Sequence, residues 1–136
     1  MQTSISATGA CPADAAWERY ADLDRWPDWA PQISGVAVTV PAGDGPSRRI
    51  APGMRGTVRA VGLLHVAFEV LEVDEVARTW SWRVRVGPVR LHLDHGVEAT
   101  AAGGTRTWLR TTGPAAVVAP YTPVALIALH SLVMDR

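Results

Sequence analysis

The sequence predicts an α+β fold in which a curved sheet of seven antiparallel strands encloses a hydrophobic interior and packs against a C-terminal helix. Valine-rich or alternating segments follow one another through short polar, glycine or proline links, as in an antiparallel meander. A tryptophan-proline cluster at 26–31 separates these segments from an N-terminal helical pattern, and an apolar run at 115–133 follows them. The 136 residues suffice for one sizeable core and are too few for two, so we expect a single domain over 1–136.

The N-terminal elements are a strand and a helix. Residues 3–9 alternate with the two-residue period of a strand. Pro12 then suits the first helical position, where the missing amide proton of proline costs nothing. Apolar and aromatic side chains recur after it at helical spacing, namely Ala13, Ala16, Trp17, Tyr20 and Leu23. These positions predict a helix over 12–23 that ends at the tryptophan-proline cluster.

The next elements are strands. Residues 33–40 are rich in valine and fit a strand, and the glycines and prolines of 41–46 are typical of a loop. Further strands are predicted at 54–61, 64–73, 79–86, 89–100 and 105–112. Their short links place consecutive strands side by side in antiparallel order.

The C-terminal helix has an apolar stripe suited to covering the concave face of the sheet, formed by Val118, Tyr121, Ala125, Leu129 and Leu132. Pro120 and Pro123 are unfavourable inside a helix, so we predict regular helix over 123–133. The run 115–133 approaches membrane-spanning length, but its prolines, tyrosine and histidine interrupt it. We therefore expect a helix buried against the sheet and no membrane span.

Charge and cysteine content narrow the class of partner. Thirteen basic and thirteen acidic residues cancel, which leaves no net field to attract nucleic acid or an anionic membrane. The single Cys11 excludes an internal disulfide and argues against a cysteine-rich metal site. The N-terminal residues lack the basic and apolar regions of a signal peptide, so we expect a cytoplasmic protein. As a separate expectation, the protein is a monomer or a weak homodimer.

Strand parity sorts the side chains into two faces, because consecutive side chains of a strand point to opposite sides. Arg83 and Arg85 fall on the outer face, which removes them from the candidate site. On the last strand we predict Leu109 inside and Trp108 on the outer surface. The predicted inner row consists of Leu64, Val66, Phe68, Val70, Trp80, Trp82, Val84, Val86, Val89, Leu91, Leu93, His95 and Val97.

Four motifs carry a family resemblance, namely Trp26-Pro27-Asp28-Trp29-Ala30-Pro31, Pro52-Gly53-Met54-Arg55-Gly56, Trp80-Ser81-Trp82 and Gly113-Pro114 before the final helix. With them the chain resembles the polyketide cyclase/dehydrase and lipid-transport superfamily, also described as START-like, SRPBCC or helix-grip proteins. The resemblance implies a helix-grip fold, with two short helices after the first strand and a ligand cavity between sheet and helix. It also implies one of two activities: carriage of a lipid, sterol or quinone, or cofactor-free aromatase/cyclase chemistry.

The leading interpretation is binding of a small hydrophobic ligand, such as a lipid, a polyketide or another polycyclic aromatic molecule, without cofactor or chemistry. The alternative is a cofactor-independent polyketide cyclase or aromatase, so whether the chain is an enzyme stays open. A third alternative is a cavity-poor protein that acts through partner contacts, because the same side chains can fill a core. The predicted ligand-binding residues are Trp29, Val66, Phe68, Trp80, Trp82, Leu91, Leu93, Ala125 and Leu129.

His95 and Tyr121 are the candidate catalytic residues. An imidazole suits proton transfer near neutral pH, and a tyrosine hydroxyl can stabilise an enolate. We favour a core histidine, hydrogen-bonded to a backbone carbonyl or to Tyr121, because a lone inward histidine lacks the second group that a catalytic pair requires. His92 and His95 fall on opposite faces of their strand, so we expect no metal site.

Overall fold

The computed structural model describes residues 1–41, 48–60, 62 and 64–135. Within them lie strands β1 (Gln2–Gly9), β2 (Ile33–Val40), β3 (Arg55–Ala60), β4 (Leu64–Asp74), β5 (Thr79–Val86), β6 (Val89–Ala99) and β7 (Thr105–Thr112). The helices there are α1 (Ala13–Ala21), α2 (Trp26–Trp29) and α3 (Ala115–Leu132), with a 3₁₀ turn, Leu23–Arg25, between α1 and α2. The predicted loop at 42–46 and the predicted strand end at Val61 lie outside the described residues.

The strands form one antiparallel sheet in the order β1-β7-β6-β5-β4-β3-β2. Strands β2 to β7 are a meander, and the short links predicted this order for the strands from β3 onward. Strand β1 pairs with β7 and lies at the opposite edge from β2, because α1 and α2 carry the chain across the end of the sheet. The helix α3 packs on β1, β7 and α2. The predicted α+β helix-grip architecture is therefore confirmed.

Two tryptophans hold α1 and α2 together. The indole of Trp26 donates to the carbonyl of Tyr20 at 2.8 Å, and the indole of Trp29 donates to the carbonyl of Arg19 at 2.8 Å. Carbonyls at the end of a helix have no partner within the helix, so these donors satisfy the end of α1. The three-residue spacing of the tryptophans puts both rings on the same side of the helical turn. The tryptophan-proline cluster thus continues the helical segment, where the sequence predicted a break.

The helix α3 begins at Ala115, eight residues before its predicted start, with Pro120 and Pro123 inside it. A proline at these positions leaves the carbonyl four residues earlier without its helical partner. Those carbonyls belong to Ala116 and Ala119, which are exposed, so water can reach them. Solvation of these two carbonyls therefore reduces the free-energy cost of placing Pro120 and Pro123 inside the helix. That cost was the reason for predicting a helix that starts only at residue 123.

The C-terminal end of α3 is anchored to the N-terminal elements. One guanidinium nitrogen of Arg19 donates to the carbonyls of Leu132 at 2.6 Å and Met134 at 2.7 Å. The amide of Cys11 donates to the carbonyl of Val133 at 3.0 Å. By length and composition α3 also passes as a membrane-crossing helix, and 28% of its residues are buried inside the fold. Here its buried residues Val118, Ala125, Ala128, Leu129 and Leu132 pack into the core.

Strict alternation along β4 stops at a β-bulge between Val70 and Glu72. Phe68 and Val70 are buried before it, and Val73 packs against the core after it. The extra residue shifts which positions face inward and increases the local bend of the strand. The bulge therefore helps the sheet to curve around α3.

Candidate ligand cavity

Two adjoining chambers lie between the concave face of the sheet and α3. The outer chamber has a volume of about 290 Å³ and the inner one about 40 Å³. Both are lined by Gln32, Ile33, Trp82 and Tyr121, which therefore form a neck between them. The neck brings together side chains from the link before β2, from β2, from β5 and from α3.

The outer chamber is almost entirely apolar. Its mouth opens to solvent between Leu64, Val86 and Val124, which are 45%, 36% and 39% exposed. Large apolar side chains are rarely left exposed together without a function. The remaining walls are formed by Val58, Ala60, Val66, Val84, Leu91, Leu93 and Val117.

Aromatic rings occupy most of the space around the inner chamber. Trp26 and Trp82 meet with their ring centres 5.1 Å apart, and Trp80 and Trp82 with theirs 5.2 Å apart. The edge-to-face and tilted contacts in this cluster are favourable for aromatic pairs. The inner chamber has room for one or two waters or one small substituent.

His95 lies at the base of the inner chamber in a continuous chain of hydrogen bonds. The indole N–H of Trp82 donates to His95 Nε2 at 3.0 Å, and His95 Nδ1 lies 3.3 Å from the Tyr20 hydroxyl. The Tyr20 hydroxyl lies 2.8 Å from Thr107 Oγ1, and Thr107 donates to the carbonyl of Gly96 at 2.9 Å. The imidazole also stacks on Trp80, with ring centres 4.6 Å apart.

The two ends of this chain fix the direction of every hydrogen bond in it. An indole nitrogen can only donate, so His95 Nε2 is the acceptor and the proton of the neutral ring is on Nδ1. A carbonyl can only accept, so Thr107 donates to Gly96 and receives its own bond from Tyr20. His95 Nδ1–H therefore donates to Tyr20. Both ring nitrogens are engaged within the protein.

Burial lowers the pKa of His95 to about 3. The charged imidazolium would lose its hydration and would also place a second N–H against the Trp82 indole. The ring is consequently neutral at physiological pH. The favoured sequence interpretation, a core histidine, fits this geometry, but its partners are Tyr20 and Trp82, where Tyr121 or a carbonyl was expected.

Tyr121 lies at the neck and not beside His95's nitrogens. Burial raises the pKa of its phenol to about 12, so the hydroxyl stays protonated. No hydrogen bond joins this hydroxyl to the described residues. Its proton therefore stays free to interact with a molecule in the cavity.

Gln32 is a cavity residue that sequence reasoning missed. It follows Pro31 in the link between α2 and β2, where a single polar residue is predicted to be exposed at the surface. Its side-chain oxygen is buried, and none of the described residues donates to it. The indole nitrogen of Trp80 is likewise buried without a partner in the described part of the chain. The only sequence signal for Gln32 was its place directly after the tryptophan-proline cluster.

The structure brings nearly all predicted ligand-binding residues to the two chambers. Val66, Leu91 and Leu93 line the outer chamber, and Trp82 lines both. The inner chamber is lined by Trp29, Trp80, Ala125 and Leu129, together with His95. Phe68 lines neither chamber and instead supports them from behind, with its ring centre 5.8 Å from that of Trp82.

The outer, convex face of the sheet carries the residues that parity placed there. Arg83 and Arg85 are exposed on it, away from the cavity, and Leu109 is buried. Trp108 lies on the convex face over Gly96, where a Cβ atom would collide with its indole. Among the described residues, no group of three or more His, Cys, Asp and Glu side chains is arranged to hold a metal ion.

Solved structures with this fold share little sequence with the chain. The protein named Ara h 8.0201 is 15% identical with a TM-score of 0.74, over 97% of this chain and 94% of that one. XoxI from Bacillus cereus is 13% identical with a TM-score of 0.78, over 97% and 92%. The di-domain ARO/CYC protein BexL of the BE-7585A biosynthetic pathway is 18% identical with a TM-score of 0.79, over 98% and 45%. These likenesses show the fold.

A search of curated protein sequences found no match. The sequence model of one family does match, over residues 2–131, and its description is polyketide cyclase/dehydrase and lipid transport. This match spans every strand and all but the last residue of α3. The chain therefore belongs to the polyketide cyclase/dehydrase and lipid transport family.

Proposed function

We propose that this protein binds a small hydrophobic molecule in the two chambers and carries it without chemical change. The observation that supports this most directly is the outer chamber of about 290 Å³, apolar on its walls and open at a mouth of exposed Leu64, Val86 and Val124. Burial of apolar ligand surface there contributes roughly 25 cal/mol per Å². The family description, which includes lipid transport, agrees with this role.

The size of the cavity favours a compact ligand. Ligand pockets usually measure about 300–1,000 Å³, and the outer chamber is at the lower limit of that range. Rings of Trp26, Trp80 and Trp82 close off the inner chamber. A bicyclic or tricyclic aromatic molecule or a short acyl chain matches this volume better than a long folded polyketide.

The hydrogen bonds of His95 support binding without proton transfer. A general base needs a free lone pair near the reacting atom. In His95 the lone pair on Nε2 accepts from Trp82, and the proton on Nδ1 is donated to Tyr20. The low pKa of His95, about 3, further weakens it as a base at neutral pH.

A polyketide cyclase is the second candidate, and the Tyr121 hydroxyl is the observation that favours it. A protonated phenol at a cavity wall can donate to an enolate that forms during an aldol cyclisation. A linear poly-β-ketone thioester is the probe for this activity. A cyclase that used His95 for proton transfer would lose roughly 10²–10⁴-fold of its turnover in His95→Gln while still binding the probe; a carrier would show no turnover in either protein.

The carrier proposal is tested with N-phenyl-1-naphthylamine, a neutral dye that fluoresces in apolar surroundings. Val66 faces the outer chamber and Ala67, its neighbour on β4, lies on the convex face. Val66→Trp fills the chamber and is expected to weaken dye binding at least about tenfold, or roughly 1.4 kcal/mol. Ala67→Trp is the matched control and should change the affinity less than about twofold.

The same titration can reject the proposal. If the dye binds folded Val66→Trp as tightly as the wild type, the outer chamber is not the ligand site. If the dye binds neither protein at millimolar concentration, the chambers are closed and the protein acts through its surface. Circular dichroism of both variants verifies that they are folded.

A further inference from the structure

The charges of the chain cancel in total but not around the mouth of the outer chamber. Apart from Gln32 and Ile33, the residues that line this chamber come from three stretches of sequence, 56–68, 82–93 and 111–134. These stretches contain no aspartate, glutamate or lysine. Their formally charged side chains are four arginines, Arg59, Arg83, Arg85 and Arg90. The region around the mouth is therefore positively charged, although the whole chain is neutral.

Among the described residues, three of these arginines find no carboxylate partner. Arg83 lies 3.7 Å from Glu69. Arg59, Arg85 and Arg90 are exposed and form no ion pair in the described part of the chain. Arg85 and Arg90 also lie directly opposite each other on β5 and β6, where like charges repel and destabilise a sheet. Two such cations fit a surface whose counter-charge arrives from outside the chain.

The exposed apolar rim of the mouth lies next to these cations. Val86 directly follows Arg85 on β5. Because consecutive strand side chains point to opposite faces, Val86 lines the chamber while Arg85 and Arg90 lie in a groove on the convex face. The end of the sheet at this mouth thus combines exposed apolar side chains with cations immediately beside them.

The outward face of α3 continues the apolar rim. A helix at the surface of a soluble domain ordinarily carries charged side chains on the side away from the core. From 115 to 127 every exposed residue of α3 is an alanine, a proline, a valine or an isoleucine. A continuous exposed apolar surface of this kind marks a site of interaction.

We propose that this end of the protein docks on an anionic lipid membrane, with Leu64, Val86 and Val124 against the acyl chains and Arg85 and Arg90 against the lipid headgroups. These five residues are the mouth surface. Burial of apolar side chains and attraction between arginine and anionic headgroups add together in binding to such membranes. The long stem of arginine lets its guanidinium reach the headgroups while the neighbouring valine is buried.

Docking at the mouth gives a hydrophobic ligand a route between bilayer and chamber that does not cross water. In this respect alone the inference rests on the proposed function. Contact between the mouth surface and the membrane depends on exposed side chains and can be measured without any ligand.

A second copy of the chain suits the mouth surface less well than a membrane does. In a symmetric dimer the same patch meets itself, so the arginines of one protomer would face those of its partner. The sequence around the mouth supplies no carboxylate to separate them. An acidic protein would satisfy the arginines but would leave the apolar rim without an apolar partner.

The charge part of the proposal is tested by flotation with vesicles of phosphatidylcholine alone or mixed with phosphatidylglycerol. The wild type is compared with the double variant Arg85→Gln/Arg90→Gln. The control is Arg78→Gln/Arg106→Gln, which removes the same two charges at the other end of the sheet, where Thr79 pairs with Gly96 and Arg106 with Glu98. Circular dichroism verifies that all three proteins are folded.

The wild type should bind the mixed vesicles and bind phosphatidylcholine alone at least about tenfold more weakly. The mouth variant should lose at least about tenfold in affinity for the mixed vesicles, because each arginine near an anionic surface contributes about fivefold. The control should lose less than about threefold. Equal losses in the two variants, or no binding of the wild type to mixed vesicles, overturn the inference.

The apolar part of the proposal has its own matched pair, Val86→Gln at the rim and Val76→Gln in the turn between β4 and β5. Val76 is 93% exposed and lies at the other end of the sheet. Val86→Gln should weaken binding to the mixed vesicles about three- to tenfold, and Val76→Gln less than about twofold. If Val86→Gln binds as tightly as the wild type, the contact is purely electrostatic, as with an acidic protein, and membrane docking is overturned.

Two measurements on the wild type keep the test decisive if the variants fail to fold. Mixed vesicles should slow amide exchange at 85–90 and 119–124 more than at 74–79, and equal slowing at both ends of the sheet overturns the inference. Light scattering without vesicles should show no dimer at concentrations where the vesicles are bound. A stable dimer with 85–90 and 119–124 protected against exchange assigns the mouth surface to a second copy, which also overturns it.

Titration with N-phenyl-1-naphthylamine in the absence of vesicles separates this inference from the proposed function. Arg85→Gln/Arg90→Gln should bind the dye as the wild type does, because neither arginine lines a chamber. Dye binding without vesicle binding overturns membrane docking and leaves the carrier proposal standing. Vesicle binding without dye binding upholds the docking and overturns the carrier proposal.

Discussion

At the scale of single residues, His95 shows how a titratable side chain becomes part of a core. Its neutral form receives one hydrogen bond and gives one, and its ring stacks on Trp80 and makes an edge contact with Tyr20. The protonated form can keep only the bond to Tyr20. The folded protein therefore favours the uncharged imidazole, and protonation of His95 at low pH lowers the free energy of unfolding.

The free energy of unfolding should fall as the pH drops below the pKa of histidine in the unfolded chain, about 6.5. Because the folded pKa is lowered to about 3, only the unfolded state binds the proton in this window, and stability rises with pH. The linkage predicts a loss of roughly 1.5 kcal/mol between pH 6.5 and pH 5. Urea unfolding at each pH measures it.

The control for that slope is His95→Gln, which has no titrating ring. Its stability at neutral pH will differ, but between pH 6.5 and pH 5 it should change by less than a third as much as that of the wild type. An equal slope in both proteins would assign the acid sensitivity to other groups.

Arg78 offers a second prediction at this scale. It ends the turn between β4 and β5 with φ of 56°, in the left-handed region that glycine adopts without strain. Arg78→Gly relieves that strain but makes the unfolded chain more flexible, so we expect a net gain of about 0.5 kcal/mol. Arg78→Val, with a β-branched side chain, should lose at least about 1 kcal/mol. A higher melting temperature for Arg78→Val than for the wild type would contradict this account.

Strand alternation predicted correctly which side chains of β6 and β7 face inward. It could not predict hydrogen-bond partners that lie on another element. Alternation along β6 put His95 on the inner face, and alternation along β7 put Leu109 inside. The partner of His95, Tyr20, lies 75 positions earlier, on a helix whose docking angle no local pattern encodes. Gln32 was missed because its burial depends on the path of a short link.

At the scale of elements, the end of α3 is anchored by the Arg19 side chain together with the backbone amide of Cys11. Arg19 donates to two carbonyls just where the helix ends, and such carbonyls have no partner within the helix. Charged donors make the stronger hydrogen bonds of proteins. The position of α3 over the chambers therefore depends on α1.

Arg19→Met keeps much of the apolar stem and removes both hydrogen bonds. We expect a loss of about 1–3 kcal/mol in unfolding free energy and faster amide exchange near the end of α3. Arg25→Met is the control, because Arg25 makes an exposed ion pair with Asp22 at 3.2 Å, worth less than about 1 kcal/mol. Similar losses in the two variants would mean that the Arg19 bonds contribute no more than a surface pair.

Strand bounds could be predicted from sequence more closely than helix bounds. Every predicted strand ends within one residue of the observed one across the described residues, because glycine, proline and polar links terminate alternation clearly. The start of α3 was misjudged by eight residues, because the cost of Pro120 and Pro123 depends on which side of the helix faces water. Exposure of that side is a property of the assembled fold.

At the scale of the whole molecule, the proposed binding of a ligand between sheet and helix would couple binding to folding. A molecule that binds only the folded state raises the free energy of unfolding by about 2.7 kcal/mol at a concentration of 100 times its Kd. We expect N-phenyl-1-naphthylamine to raise the melting temperature of the wild type in this way. Val66→Trp should show little increase at the same dye concentration, and an equal increase would place the dye elsewhere.

The pairing of β1 with β7 also has a consequence for synthesis of the chain. Among the described strands, β1 (Gln2–Gly9) has one neighbour, at Thr105–Thr112, so it leaves the ribosome about a hundred residues before that neighbour exists. The meander from β2 to β6 can form meanwhile from close contacts, but the edge that β1 completes must wait. Until β7 arrives, β1 remains an unpaired strand next to an open sheet, the kind of segment that misassembles with other chains. Strand β1 is thus synthesised well before the strand with which it pairs.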